Sequence, residues 1–178
     1  MEYKNSQQEL KPIKSVLISN SFNYSLNKSY FLIILMLFYF TSEQNEISLI
    51  VKGSDKRENF INYGFYLDPS EVIVNRDRRY SCQKSCYFEE GLNNVTIKFG
   101  EKINSCAKMF MEMTNIIEID LSKLDTSGVT SMSEMFRSCN NVENIIFGNI
   151  NTSSVTNMYH LFFFCRKLTS IDISKKYV

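Results

Sequence analysis

One stretch of this chain is written nearly twice. "SGVTSMSEMFRSC" (Ser127 to Cys139) returns as "SSVTNMYHLFFFC" (Ser153 to Cys165). Aligned, Val129 falls on Val155, Met132 on Met158, Phe136 on Phe162 and Cys139 on Cys165, each 26 positions later. The same step backward reaches Ile103, with Phe110 under Phe136 and Met113 under Cys139. A catalytic motif is needed once, so a pattern held at one spacing without a gap points to stacked structural units. The units are 103–128, 129–154 and a shorter 155–178.

Each unit has two halves. In the first, Val129, Met132, Met135, Phe136 and Cys139 follow the rhythm of a short amphipathic helix. Ser105, Ser131 and Asn157 stand where N-caps belong, and Glu134 completes a capping box with Ser131. The second half carries "IIEIDL", "VENIIF" and "LTSIDI", whose alternate residues suit a strand with one buried side. "DTSG" (Asp125 to Gly128) and "NTSS" (Asn151 to Ser154) supply short side chains that bond their own backbone in turns. A unit of strand, turn, helix and return leaves its apolar face open unless a neighbour covers it.

These residues resemble a known family. "DLSKLDTSGVTSMSEMF…C" and "NINTSSVTNMYHLFFFC" are similar to BspA-like leucine-rich repeats of surface proteins, over roughly residues 100–178. The resemblance implies an α/β, curved leucine-rich-repeat solenoid of parallel strands and short helices. It also implies an exported, non-enzymatic adhesin or interaction surface, with no catalytic residues and no cofactor. Alternation would turn Glu118, Asp120, Asn144, Ile146, Ser170 and Asp172 outward, and that recognition face is expected to meet a protein or glycan.

The remaining chain divides into a polar tail (1–29), an apolar segment (30–42) and a β-rich stretch (43–100). "YFLIILMLFYF" (Tyr30 to Phe40) would span about 16 Å as a helix, short of the roughly 30 Å of a bilayer core. That length suits a secretory signal, either cleaved or kept as a signal-anchor in the membrane. Lys4, Lys11, Lys14 and Lys28 precede it, which places the N-terminus in the cytosol and the repeats outside it. The expected location is therefore the cell surface, the membrane or the medium. "ISLIVKG", "EVIVN" and "NNVTIKF" read as strands of a cap over the first repeat.

Chemistry-bearing residues are sparse. With 20 Lys and Arg against 19 Asp and Glu, the net charge of +1 offers no basic stripe for nucleic acid. Cys106, Cys139 and Cys165 interchange with methionines between units, so they occupy apolar slots in the stack. Cys82 and Cys86 in "SCQKSC" lie outside the repeats and form a candidate disulfide, or two inert thiols, or a thiol site tuned by Lys84, Arg78 and Arg79. His160 shares its column with Lys108 and Glu134, a solvent-facing position, and as the single histidine it supports neither a triad nor a zinc site. Asn94 and Asn151 head sequons on the exported side and are candidate glycan acceptors. A different reading is a structural piece of a longer repeat protein without activity of its own. Its uncapped final strand would invite self-association.

Overall fold

The computed structural model describes residues 45–79 and 81–172, except for the side chain of Asp172. Every described residue lies within the compact unit Phe38–Val178. The expected hydrophobic helix at 30–42 lies outside the described residues. Among those described, no helix is long and apolar enough to cross a membrane.

Nine strands run in chain order: β1 (Glu46–Gly53), β2 (Lys56–Asn59), β3 (Glu71–Val74), β4 (Asp77–Arg78), β5 (Ser85–Phe88), β6 (Gly91–Lys98), β7 (Ile116–Asp120), β8 (Asn144–Ile146) and β9 (Ser170–Asp172). Seven form one sheet in the order β4-β3-β6-β1-β7-β8-β9, and β2 pairs with β5 apart from it. In β1, "EISLIVKG" buries Ile47, Leu49 and Val51 and turns the intervening residues outward, as a two-residue period requires. β1 is antiparallel to β6 along one edge and to β7 along the other. The edge strand of the repeat region is thereby covered. From β7 onward the sheet is parallel, with Glu118 beside Asn144 beside Ser170, so the register is the repeat itself.

The expected α/β leucine-rich-repeat solenoid is corrected here. The described residues are β-rich, contain no α-helix and do not close into a solenoid. Segments 105–113, 131–139 and 157–165, read above as helices, are runs of turns. Their backbone shows why. In the first run, the N–H groups of Met109, Met111 and Met113 close local turns on the carbonyls of Cys106, Lys108 and Phe110, at 3.1–3.2 Å. Those of Cys106, Lys108, Phe110 and Glu112 donate instead to Ser131, Ser133, Met135 and Arg137 of the next unit, at 2.8–3.0 Å. An α-helix directs its interior N–H groups into itself. This run directs every second one to its neighbour.

Alternation of that kind requires left-handed residues. Lys108 and Glu112, Glu134 and Ser138, then His160 and Phe164 all have φ between 53° and 64°, at matching places in the three units. Such a residue costs roughly 1–2 kcal/mol when not glycine, and the bonds between units offset it. Ser105, Ser131 and Asn157 do open these runs, each accepting from the backbone N–H two residues on, at 3.0–3.3 Å. They cap turns. Glu134 does not reach back to Ser131 but bridges Arg137 at 2.8 Å and Lys108 at 3.7 Å.

The apolar columns coincide with the core. Phe110 and Phe136 stack at 5.9 Å and 9°, Phe136 and Phe162 at 5.5 Å and 2°. Phe147 stands edge-on to Phe136 at 6.0 Å and to Phe162 at 6.3 Å. Units one and two are sealed, whereas Val155, Leu161, Phe162 and Cys165 of unit three are only partly buried. Gly148 marks how closely successive units approach: at φ +58° its missing Cβ would lie 2.6 Å from Ser122 Cα.

Candidate functional site: the outer face of the sheet

The sheet buries one side and presents the other. Strand alternation fixes which residues appear there, and the register sets them in rows. One row runs Asn94, Ile50, Glu118, Asn144, Ser170; the next runs Ile73, Thr96, Ser48, Asp120, Ile146. Asn94 and Ser170 are exposed, and the other eight are half-buried. Asp172, expected to extend the second row, has its side chain outside the described residues.

The first row is cross-linked. Asn144 Nδ2 donates to Glu118 Oε2 at 3.5 Å, and Ser170 Oγ donates to Asn144 Oδ1 at 3.1 Å. The Asp120 carboxylate accepts from Ser122 N–H at 2.8 Å, which closes the turn after β7. Ion pairs border the face: Lys123 with Glu46 at 2.9 Å, Lys98 with Glu71 at 3.2 Å, and Arg78 with Glu71. Such an arrangement can bind by shape and hydrogen bonding. Sequence reasoning found the residues of β7 to β9 and missed Ser48, Ile50, Ile73 and Thr96. Their strands had been read, but nothing local in them shows that β1 lies against β7.

Elsewhere, Cys82 and Cys86 form a disulfide with Cα atoms 4.9 Å apart, and both residues are buried. Lys84 pairs with Asp68 at 3.1 Å and donates to the Phe65 carbonyl at 2.6 Å. Beside this loop Arg57, Tyr63, Asp68 and Gln83 help to line a polar cavity of about 150 Å³. Cys106, Cys139 and Cys165 are free thiols. The Cys139 thiol donates to the Phe110 carbonyl and that of Cys165 to the Phe136 carbonyl, each at 2.9 Å. Burial pushes the thiols of Cys106 and Cys139 up to about 12, and it raises that of Cys165 as well.

His160 is half-buried and stacks on Tyr159 at 3.8 Å and Phe163 at 4.4 Å. Asn94 and Asn151 are both exposed, and the Asn151 side-chain oxygen accepts from Ser153 N–H at 2.9 Å and Ser153 Oγ at 2.7 Å. Among the described residues no group of three or more His, Cys, Asp or Glu is placed to hold a metal ion.

What this geometry defines is a β-rich stacked-repeat unit with an open polar sheet face. Residues 102–177 match a family described as "Mycoplasma protein of unknown function, DUF285". The match takes in all three stacked units and leaves β1 to β6 outside it. No curated protein and no solved structure matches the chain.

Proposed function

We propose that this chain is an exported, non-catalytic surface protein that recognises a protein or a glycan through the outer face of its sheet. The observation that carries this reading is the pair of rows across six strands, polar but for Ile50, Ile73 and Ile146. Flat interaction surfaces of this kind gain specificity from ordered polar groups around a few apolar anchors. Export is supported by the Cys82–Cys86 disulfide, since such bonds persist in oxidising compartments. It is supported too by the resemblance of residues 100–178 to BspA-like surface proteins. Residues 30–40 would supply the signal or anchor. The absence of a catalytic role is supported by the thiols of Cys106 and Cys139, which burial keeps protonated.

The test is binding of the full chain to arrays of glycans and of cell-surface proteins, beside a variant carrying Asp120→Lys, Asn144→Lys and Ile146→Lys. Loss of at least tenfold in affinity, with the unfolding midpoint kept, supports the face as the site; equal binding refutes it. Intact mass of the natively expressed chain tests export, and recovery of Cys82 and Cys86 as free thiols would end that part of the reading. A second reading, a structural piece with no ligand of its own, draws on the partly open third unit and predicts no array signal.

A further inference from the structure

The loop closed by the Cys82–Cys86 disulfide stands apart from the seven-stranded sheet, yet it forms most of the wall of the polar cavity beside it. Of the seven residues that line this cavity, Ser81, Gln83, Lys84 and Ser85 belong to the loop or adjoin it. Both bonded cysteines are buried, so the ends of the loop are pinned, while Gln83 between them is exposed. Other contacts fix it further. The Lys84 carbonyl accepts from the N–H groups of Phe60 and Ile61 at 3.0 and 3.3 Å, and Arg57 Nη2 donates to the Ser81 carbonyl at 2.8 Å. A wall held in this way loses little freedom when a ligand arrives.

Arg57 of β2, with Tyr63 and Asp68 from the connection between β2 and β3, completes the lining. Their hydrogen-bonding capacity is only partly used. One Asp68 carboxylate oxygen pairs with Lys84 at 3.1 Å, and the other has no partner among the described residues. Arg57 commits one nitrogen to Ser81, and the Gln83 amide has no partner among the described residues. Planar carboxylate, guanidinium and amide groups thus offer acceptors and donors around about 150 Å³ of space. That is roughly ten times what one water needs, the size of a single sugar ring. Beside these groups the Tyr63 ring is 67% exposed, with its hydroxyl 3.5 Å from Ser85 Oγ.

We propose that this cavity binds one neutral pyranose ring, free or at the end of a glycan, with Asp68, Arg57 and Gln83 holding its hydroxyls and Tyr63 covering a C–H face. The lining selects that chemistry. A hydroxyl both donates and accepts, so it can use a carboxylate and a guanidinium at once. An anionic ligand would bring like charge against Asp68, and an apolar one would desolvate these polar groups without partners. Sugar rings carry hydroxyls at the rim and C–H groups on their faces, and an aromatic ring covers the latter. The cavity shares no residue with the two rows of the sheet face, so this site does not rest on the reading given for that face.

The experiment titrates the isotope-labelled full chain, its disulfide intact, with glucose, galactose, mannose and N-acetylglucosamine, each free and as its methyl glycoside. Glucuronate is the anionic control, and amide chemical shifts are the readout. Saturable shifts of the Gln83, Lys84 and Ser85 amides with at least one neutral sugar, in the millimolar range, are the expected result. A methyl glycoside that binds as its parent does assigns the site to the end of a glycan; one that does not assigns it to a free sugar. Gln83→Ala and Tyr63→Ala remove exposed side chains, so each should weaken binding about tenfold without moving the unfolding midpoint. The sheet-face variant with Asp120→Lys, Asn144→Lys and Ile146→Lys should bind the sugar as the unsubstituted chain does. The proposal is overturned if no neutral sugar shifts those amides, if glucuronate alone does, if either cavity variant binds unchanged, or if the sheet-face variant loses the sugar.

Discussion

Phe136 is the residue on which the stack can be tested most sharply. It has no exposed surface, stacks on Phe110 and on Phe162, and meets the edge of Phe147. Truncation to alanine removes a full aromatic volume from a site closed on both sides. Buried Phe→Ala changes cost about 3–5 kcal/mol, and ordered ring pairs add about 0.5–1.5 kcal/mol beyond burial. We therefore expect about 4–5 kcal/mol for Phe136→Ala. Phe162 lies in the same column but is only partly buried, and among the described residues a unit covers it on one side alone. Phe162→Ala should cost about 1–2 kcal/mol, the value of a partly buried apolar side chain. Urea unfolding followed by far-UV circular dichroism gives both numbers, with an unchanged m-value showing that stability alone has moved. Equal costs at the two positions, or a cost below about 1 kcal/mol at Phe136, would refute the stacking argument.

Other outcomes follow from the same geometry. Replacing both Cys82→Ser and Cys86→Ser should lower stability by about 2 kcal/mol, as expected for cross-linking so short a loop, and dithiothreitol should have the same effect on the unsubstituted chain. The thiols of Cys106 and Cys139 ionise near 9.0 when unfolded and near 12 when folded, so their contribution is complete below pH 9 and is lost as pH rises toward 12. Midpoints measured between pH 8 and 11 should fall, and a Cys106→Ala, Cys139→Ala variant should show a shallower fall. Asp125 has its pKa lowered, chiefly by the Ser127 backbone N–H that its carboxylate accepts. Its contribution is present above 3.8 and lost on acidification through the folded value, so Asp125→Asn should flatten the acid limb of the stability curve. Gly148→Ala should cost about 1–3 kcal/mol, because both the positive φ and the approach to Ser122 oppose a methyl group; thermal unfolding measures it.

The period, the register and the inward columns were legible because each is a statement about which residues share a surface. Phe110, Phe136 and Phe162 form one row whether the backbone between rows is helical or not. The conformation was not legible for the same reason. Cys106, Met109, Phe110 and Met113 have helical spacing, and all four are buried, yet the run that carries them is built from turns. Periodicity reports burial; it does not report where the N–H groups go. The signal that could have separated the two is weak: left-handed φ falls on Lys108, Glu134 and His160, residues that tolerate it without demanding it. At the candidate site, β7 and β8 turn outward and inward as their alternation predicts, whereas Ile171 of β9, expected to face inward, is exposed. The half of the face contributed by β1, β3 and β6 joins the repeats only through β1 and β7, whose partners lie far apart in the chain, as Ile50 does from Glu118.

The seam between successive units is held largely by main-chain atoms, which has a bearing on how such a protein can change. A bond from one backbone to another is indifferent to the side chains around it. The residue at a given place in the run can therefore differ from unit to unit, as Lys108, Glu134 and His160 do, without loosening the join. Whole 26-residue blocks can also be gained or lost in a lineage with each new junction fitting at once, so reach along the sheet becomes a quantity that duplication can set.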